Sequence, residues 1–161
     1  GTFLKIRIIS VGKMKERYWK EAQQEYSKML SRFATVEVVE VADERTPEDA
    51  SAGEIRAILK KEGERVRAAL KGVDRFYALA SEGTQEDSVA FSRRIAREAD
   101  STRSLGFIIG GSFGLHPSIK AGAGLRLSMS PMTFPHHLAP VMLLGQVSRA
   151  SKINEGSHYH K

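Results

Sequence analysis

Hydrophobic residues along this chain fall into two kinds of pattern, and the first is typical of β-strands. Short runs rich in β-branched and aromatic side chains recur at intervals, each followed by a polar or glycine-containing stretch. Five such runs are predicted strands: residues 5–11, 36–41, 76–80, 105–109 and 125–129. Gly12 is expected to end the first strand and Gly83 the third.

The second pattern repeats every three or four residues between these runs, which predicts amphipathic helices. Three helices are expected to bury the following apolar residues: Trp19, Ala22, Tyr26, Met29, Leu30 and Phe33; Ile55, Ile58, Leu59, Val66, Ala69 and Leu70; Phe91, Ile95 and Ala99. A short helix over 117–121 begins at a proline, and a longer one is predicted over 138–153.

The predicted helix starts carry recognisable capping residues. Ser51 followed by Glu54 is a capping-box pattern, in which each side chain binds the other residue's backbone N–H. Asp87 or Ser88 is expected to cap the next helix. The outward face of that helix is predicted to carry three arginines: Arg93, Arg94 and Arg97.

Strands that alternate with helices predict an α/β fold with a mostly parallel sheet covered by helices on both faces. The length of 161 residues fits a single domain over 1–161. Ligands of open α/β sheets bind beyond the carboxyl ends of the strands. Three loops leave such ends here, at 79–83, 110–115 and 129–135, and together they would form one pocket.

The loop after the fourth predicted strand, IIGGSFGLHP, is rich in glycine. It does not match the dinucleotide pattern G-x-G-x-x-G, and no Lys-Ser/Thr follows at the spacing of a phosphate-binding P-loop. Two readings stay open from these residues alone. The glycines permit a turn with positive φ, or they let a ligand approach the main chain.

The segment LSMSPMTFPHH, residues 127–137, is predicted to be a stiff extended loop, because its two prolines fix φ and disfavour helix before them. Its hydroxyl, methionine and phenylalanine side chains suit either a ligand wall or a core. The histidines lack the H-E-x-x-H spacing, so no metal site is predicted.

The balance of charge indicates the kind of partner. Lys and Arg outnumber Asp and Glu by 25 to 19, giving +6, which favours a polyanion such as nucleic acid. The chain has no cysteine, no run long enough to span a membrane and no signal-like N-terminus, so a cytoplasmic protein is expected. These features predict a basic α/β domain with a pocket, but they do not identify a reaction.

Several ordered motifs add a resemblance over essentially the full length. ISVGK, EYSKMLSRF, VEVVEVADE, KKEGERV, IIGGSFGLH, LSMSPMTFPHH and the closing YHK are similar to the ribosomal RNA large subunit methyltransferase H family of the SPOUT superfamily. The resemblance implies a C-terminal deep trefoil knot and a homodimer. It also implies S-adenosylmethionine as cofactor and methyl transfer to N3 of a pseudouridine in 23S rRNA.

The resemblance also assigns site residues by position. The implied cofactor contacts are Leu79, Gly110, Met129, Ser130, Pro131, Met132, Thr133 and Phe134. The implied residues for RNA binding and activity are Arg149, Tyr159, His160 and Lys161. Arg149 and Lys161 would favour the anion that develops at N3, His160 is the candidate base, and Tyr159 would stack on or hydrogen-bond the target base.

The chain departs from the family pattern in places that concern the dimer and RNA more than the cofactor. Pro140, Gly145, Ser148 and His158 replace residues common in the family, and Phe113 stands where a polar or acidic residue is more usual. Two alternatives therefore stand beside the methyltransferase. One is a catalytically impaired ribosome-binding or RNA-binding protein of the same fold, and the other is a small-nucleotide-binding protein outside RNA metabolism.

Overall fold

The computed structural model describes residues 4–12, 34–85, 88–111 and 113–128. Its strands are β1 (Leu4–Val11), β2 (Ala34–Val41), β3 (Arg75–Gln85), β4 (Ser104–Ile109) and β5 (Leu125–Ser128). Its helices are α1 (Ala52–Ala69), α2 (Ser88–Ser101) and α3 (Pro117–Gly122). Two predicted helices, on residues 19–33 and 138–153, and the predicted C-terminal knot lie outside the described residues.

The strands form one sheet in the order β2-β1-β4-β3-β5, and every neighbouring pair is parallel. The predicted parallel α/β sheet is therefore confirmed. β4 lies at its centre, and all six residues of this strand are buried. A strand with helices on both of its faces needs apolar residues at successive positions, which explains the uninterrupted run LGFII.

Helices lie on both faces of the sheet. On one face, Ile9, Ala78 and Ile108 pack in a single cluster with Val66 of α1 and Ile119 of α3. Tyr77 precedes Ala78 in β3, so its side chain points to the opposite face, because successive residues of a strand alternate. There the guanidinium of Arg94, in α2, lies 5.8 Å from the centre of the Tyr77 ring. α2 therefore covers the second face.

α1 begins as its sequence predicts. The Ser51 hydroxyl accepts the N–H of Glu54, and the Glu54 carboxylate accepts the N–H of Ser51, which completes the capping box. Leu59 and Val66 are buried as expected. The buried stripe also includes Glu62, which lies three residues after Leu59 and four before Val66.

Two expectations were wrong. Gly83 does not end the third strand: β3 continues to Gln85, and Gly83 lies inside a register shift between Leu79 and Thr84. Arg94 does not face outward with its neighbours but is half-buried over the Tyr77 ring. The ring of Phe107 meets the same tyrosine edge-on, with 5.5 Å between ring centres. A guanidinium can leave water for an aromatic face because cation–π attraction offsets part of the desolvation.

None of the helices in the described part of the chain is both long enough and apolar enough to cross a membrane.

Candidate active site

The carboxyl edge of the sheet brings two of the predicted site residues together. Leu79 in β3 pairs with Ile109, the last residue of β4, and Gly110 follows directly. On the other side of β4, Ser10 of β1 pairs with the same Ile109. Leu79 and Gly110 are both half-buried, so atoms of each reach the surface at this edge. Their role as cofactor contacts stays a prediction.

The other predicted site residues lie outside the described part of the chain. They are the proposed cofactor residues Met129, Ser130, Pro131, Met132, Thr133 and Phe134 and the proposed catalytic residues Arg149, Tyr159, His160 and Lys161. β5 ends at Ser128, directly before the first of them. Because β5 is parallel to β3, the chain leaves β5 at the carboxyl edge of the sheet.

The glycine loop after β4 folds back on itself. The N–H of Gly114 donates to the carbonyl oxygen of Gly111 at 3.0 Å, and these two residues form an isolated antiparallel bridge. Gly114 has φ of +80°, a conformation that favours glycine. Of the two interpretations of the glycines, the turn with positive φ therefore applies to Gly114.

Gly110 lacks a side chain for a reason internal to the loop. A Cβ placed there would lie 2.4 Å from the carbonyl oxygen of Gly114 and 2.5 Å from its carbonyl carbon. In this direction the chain's own backbone occupies the space beside Gly110. At Gly111, in contrast, a Cβ would make ordinary contacts with Val11 at 3.4 Å and with Glu62 at 3.7 Å.

A buried carboxylate lies beneath this loop and was missed by the sequence analysis. Glu62 is only 6% exposed, and its Oε2 accepts the backbone N–H of Glu44 at 2.9 Å. Burial raises the pKa of Glu62, and the negative charge of Asp43 adds to this, while the Glu44 N–H and the Arg65 guanidinium oppose it. The available signal was its place on the apolar stripe of α1.

Glu62 and Arg65 together fasten the segment that follows β2. The Arg65 guanidinium donates to the carbonyl oxygen of Ala42 at 2.8 Å and forms an ion pair with the Glu44 carboxylate at 2.6 Å. One turn of α1 thus holds the 42–44 backbone and supports the glycine loop. The carboxyl edge is built on this turn of α1.

The glycine loop passes α1 and leads into α3. A Cβ at Gly63 would lie 3.4 Å from the Cβ of His116, so these two segments of the chain approach closely there. His116 caps α3, its ring nitrogen accepting the N–H of Ser118 at 3.1 Å. Arg67 of α1 donates to the hydroxyl of Ser118. No group of three or more potential metal ligands occurs among the described residues.

Comparisons with known proteins assign the chain to a family. A family model described as "Predicted SPOUT methyltransferase" matches residues 4–160. A relative from Bifidobacterium animalis subsp. lactis, described as "Ribosomal RNA large subunit methyltransferase H", is 49% identical over 159 residues, which are 98% of this chain and 100% of the relative. A relative from Streptococcus suis with the same description is 46% identical over 159 residues, again 98% of this chain and 100% of the relative.

The comparison with solved structures concerns the fold alone. The crystal structure of a probable methyltransferase from Bordetella pertussis Tohama I superposes with a TM-score of 0.52 at 17% identity. The match covers 91% of this chain and 92% of that chain.

Proposed function

Because the chain belongs to the SPOUT methyltransferase family, we propose that it is an S-adenosylmethionine-dependent methyltransferase of large-subunit ribosomal RNA. The full-length similarity to relatives described as ribosomal RNA large subunit methyltransferase H carries this proposal. The net charge of +6 supports a polyanionic substrate. We assign the reaction to N3 of a pseudouridine in 23S rRNA, following the motifs of the sequence.

The proposed cofactor site lies at the carboxyl edge of the sheet. Leu79 and Gly110 fit a bound nucleoside there, because Leu79 pairs with the last residue of β4, Gly110 follows that residue, and both are only half-buried. Residues 129–134 would complete the site, with Pro131 and the following Pro135 holding the backbone extended. When bound, S-adenosylmethionine supplies an activated methyl group on a positively charged sulfur.

The proposed catalytic residues act on the acceptor base. N3 of pseudouridine carries a proton and becomes a good nucleophile only when that proton leaves. We assign His160 as the group that accepts it, since an imidazole titrates near neutral pH. Arg149 and Lys161 would stabilise the negative charge left on the ring, and Tyr159 would hold the base by stacking.

The finer architecture belongs to the same proposal. We propose that residues 1–161 form one domain whose C-terminal part is knotted, and that the chain works as a homodimer in the cytoplasm. The described sheet supports this architecture, since β5 leads to the carboxyl edge where residues 129–134 would have to fold. Size-exclusion chromatography with light scattering tests the dimer.

Methyl transfer to ribosomes with and without the target tests the function. We expect micromolar binding of S-adenosylmethionine by calorimetry and transfer to large subunits that contain the pseudouridine. Subunits from a strain lacking the relevant pseudouridine synthase are the matched control and should accept no methyl group. Cofactor binding with salt-sensitive ribosome association but no transfer would favour the catalytically impaired alternative. Cofactor affinity without any ribosome dependence would favour the small-nucleotide alternative.

A further inference from the structure

Phe113 stands out on the glycine turn beside the proposed cofactor site. Its side chain is 40% exposed, and it is the one large exposed hydrophobic residue among the side chains that the structure describes. The turn that carries it is fixed at both ends. Gly111 packs near Glu62, and His116 packs against Gly63, both in α1. Phe113 is therefore carried by a supported loop, and a large part of its ring reaches solvent.

A stripe of basic residues lies on the neighbouring surface of α1. Arg56, Lys60 and Arg67 follow one another at intervals of four and seven residues, with Gly63 between the last two. This spacing places them on the face of α1 that meets His116. All three are exposed. Neither Arg56 nor Lys60 forms a side-chain hydrogen bond or ion pair with another described residue.

Chain geometry limits the distance between the aromatic residue and the basic stripe. Phe113 and His116 are three positions apart along the chain, a span of at most about 10 Å. Lys60 lies one helical turn from Gly63, a rise of about 5 Å. Phe113 is also three residues from Gly110, so the combined surface borders the proposed methyl-transfer site.

We propose that Phe113 stacks on an unpaired nucleobase of the substrate rRNA while Arg56, Lys60 and Arg67 bind the phosphates beside it. The inference rests on the proposed function, and it adds a substrate-positioning surface to that site. An aromatic ring beside exposed cations is the combination that single-stranded RNA requires, since bases stack and phosphates need positive charge. Arg56 and Lys60 have no described partner, while Arg67 also donates to the Ser118 hydroxyl. A second copy of this chain fits the surface less well, because a symmetric contact would bring two basic stripes together.

Methyl-transfer kinetics with Phe113 variants test the stacking. We expect Phe113→Ala to raise the KM for large subunits about five- to hundredfold, with kcat and the Kd for S-adenosylmethionine unchanged. Phe113→Trp should retain the KM of the unaltered enzyme, because a larger ring still stacks. An unchanged KM in Phe113→Ala, or a weakened dimer with unchanged KM, would overturn the inference.

Salt dependence tests the basic stripe with a pair of adjacent lysines. Lys60→Gln should weaken subunit binding and lower the slope of log K against log salt by about 0.7 to 0.9, the value of one lost phosphate contact. Lys61→Gln removes the same charge from an exposed position on a different face of α1 and should leave the slope nearly unchanged. Equal effects of the two variants would contradict a defined phosphate site.

These outcomes separate the inference from the function on which it rests. If the unaltered chain transfers no methyl group, the proposed function fails. If it transfers methyl groups and the Phe113 and Lys60 variants behave like it, only the positioning surface fails.

Discussion

At the amino edge of the sheet, a cleft of about 420 Å³ is lined by charged residues that include Lys5, Arg7 and Asp74. The guanidinium of Arg7 donates to the carbonyl oxygens of Ala69 and Lys71, both at 2.8 Å, at the end of α1. The Asp74 carboxylate accepts two backbone N–H groups at the start of β4. The charged side chains of Arg7 and Asp74 therefore bind backbone groups at the end of α1 and the start of β4.

The carboxyl edge uses its residues differently. Glu62 and Arg65 fix the backbone of neighbouring segments, but the glycine turn holds Phe113 in solvent, and Lys60 and Arg56 stay without a described partner. The cleft at the amino edge thus lies among side chains, Arg7 and Asp74, that already bind the chain's own backbone. Both edges carry an exposed lysine whose side chain has no described partner, Lys5 and Lys60, but among the described side chains only the carboxyl edge adds a large exposed hydrophobic residue, Phe113.

The largest expected effect is at the glycine turn. Gly110→Ala places a methyl group 2.4 Å from the Gly114 carbonyl oxygen, so the turn must open. We expect a loss of about 3 kcal/mol in the free energy of unfolding, at the upper end of overpacking costs. Chemical denaturation measures it, and calorimetry should show weakened S-adenosylmethionine binding. Gly111→Ala, whose Cβ finds ordinary contacts, is the control and should change stability little.

A smaller effect is expected at the amino edge. Arg7→Met removes two hydrogen bonds to backbone carbonyls and one ion pair with Glu37, which should cost about 2 kcal/mol. Methyl transfer at a temperature where the variant is folded should be unchanged. Lys5→Met, at an exposed position on the same strand, is the comparison. A loss of transfer without a loss of stability would show that the amino edge also takes part in function.

The smallest effect is a pH dependence at Glu62. Because the pKa of Glu62 is raised in the folded chain, the folded chain binds this proton more tightly than the unfolded chain does. Glu62 therefore favours folding at low pH. That contribution is lost as the pH rises from the ordinary glutamate pKa of about 4.3 through the raised value. Glu62→Gln keeps an oxygen for the Glu44 N–H but has no charge, so its stability relative to the unaltered chain should increase over this interval.

Urea unfolding at several pH values measures the effect. Glu64→Gln, at an exposed position two residues further along α1, corrects for the change in net charge. If the difference between Glu62→Gln and the unaltered chain is the same at every pH, the buried carboxylate does not control the stability of this edge.

Much of the fold could be predicted because hydrophobic periodicity reports burial. The run LGFII indicated the central strand, and the Ser51–Glu54 pair indicated the start of α1. The resemblance built on the ordered motifs is confirmed for the family. The two wrong expectations, at Gly83 and Arg94, concern the pairing of β3 and the packing of α2 on Tyr77. The hydrophobic pattern of one segment does not show which other segments pack against it in the folded chain.

The site was less predictable for the same reason. Glycines after β4 indicated a close approach, but the approaching group is the backbone of Gly114, four residues away along the chain. Glu62 was passed over because a charged residue within a helical pattern is usually exposed. Its burial depends on the segment after β2 and on the glycine turn, which converge on α1 only in the folded chain.

The register shift in β3 has a consequence for how this chain tolerates changes in length. Leu79 and Thr84 both pair with Leu127 of β5, so the four residues between them are excluded from the ladder. An inserted residue there would lengthen the excursion and leave the pairing of Thr84 and Gln85 intact. The same insertion within β4 would turn every following side chain to the opposite face of the sheet. The fold should therefore accept an insertion at residues 80–83 and reject one within the neighbouring strand β4.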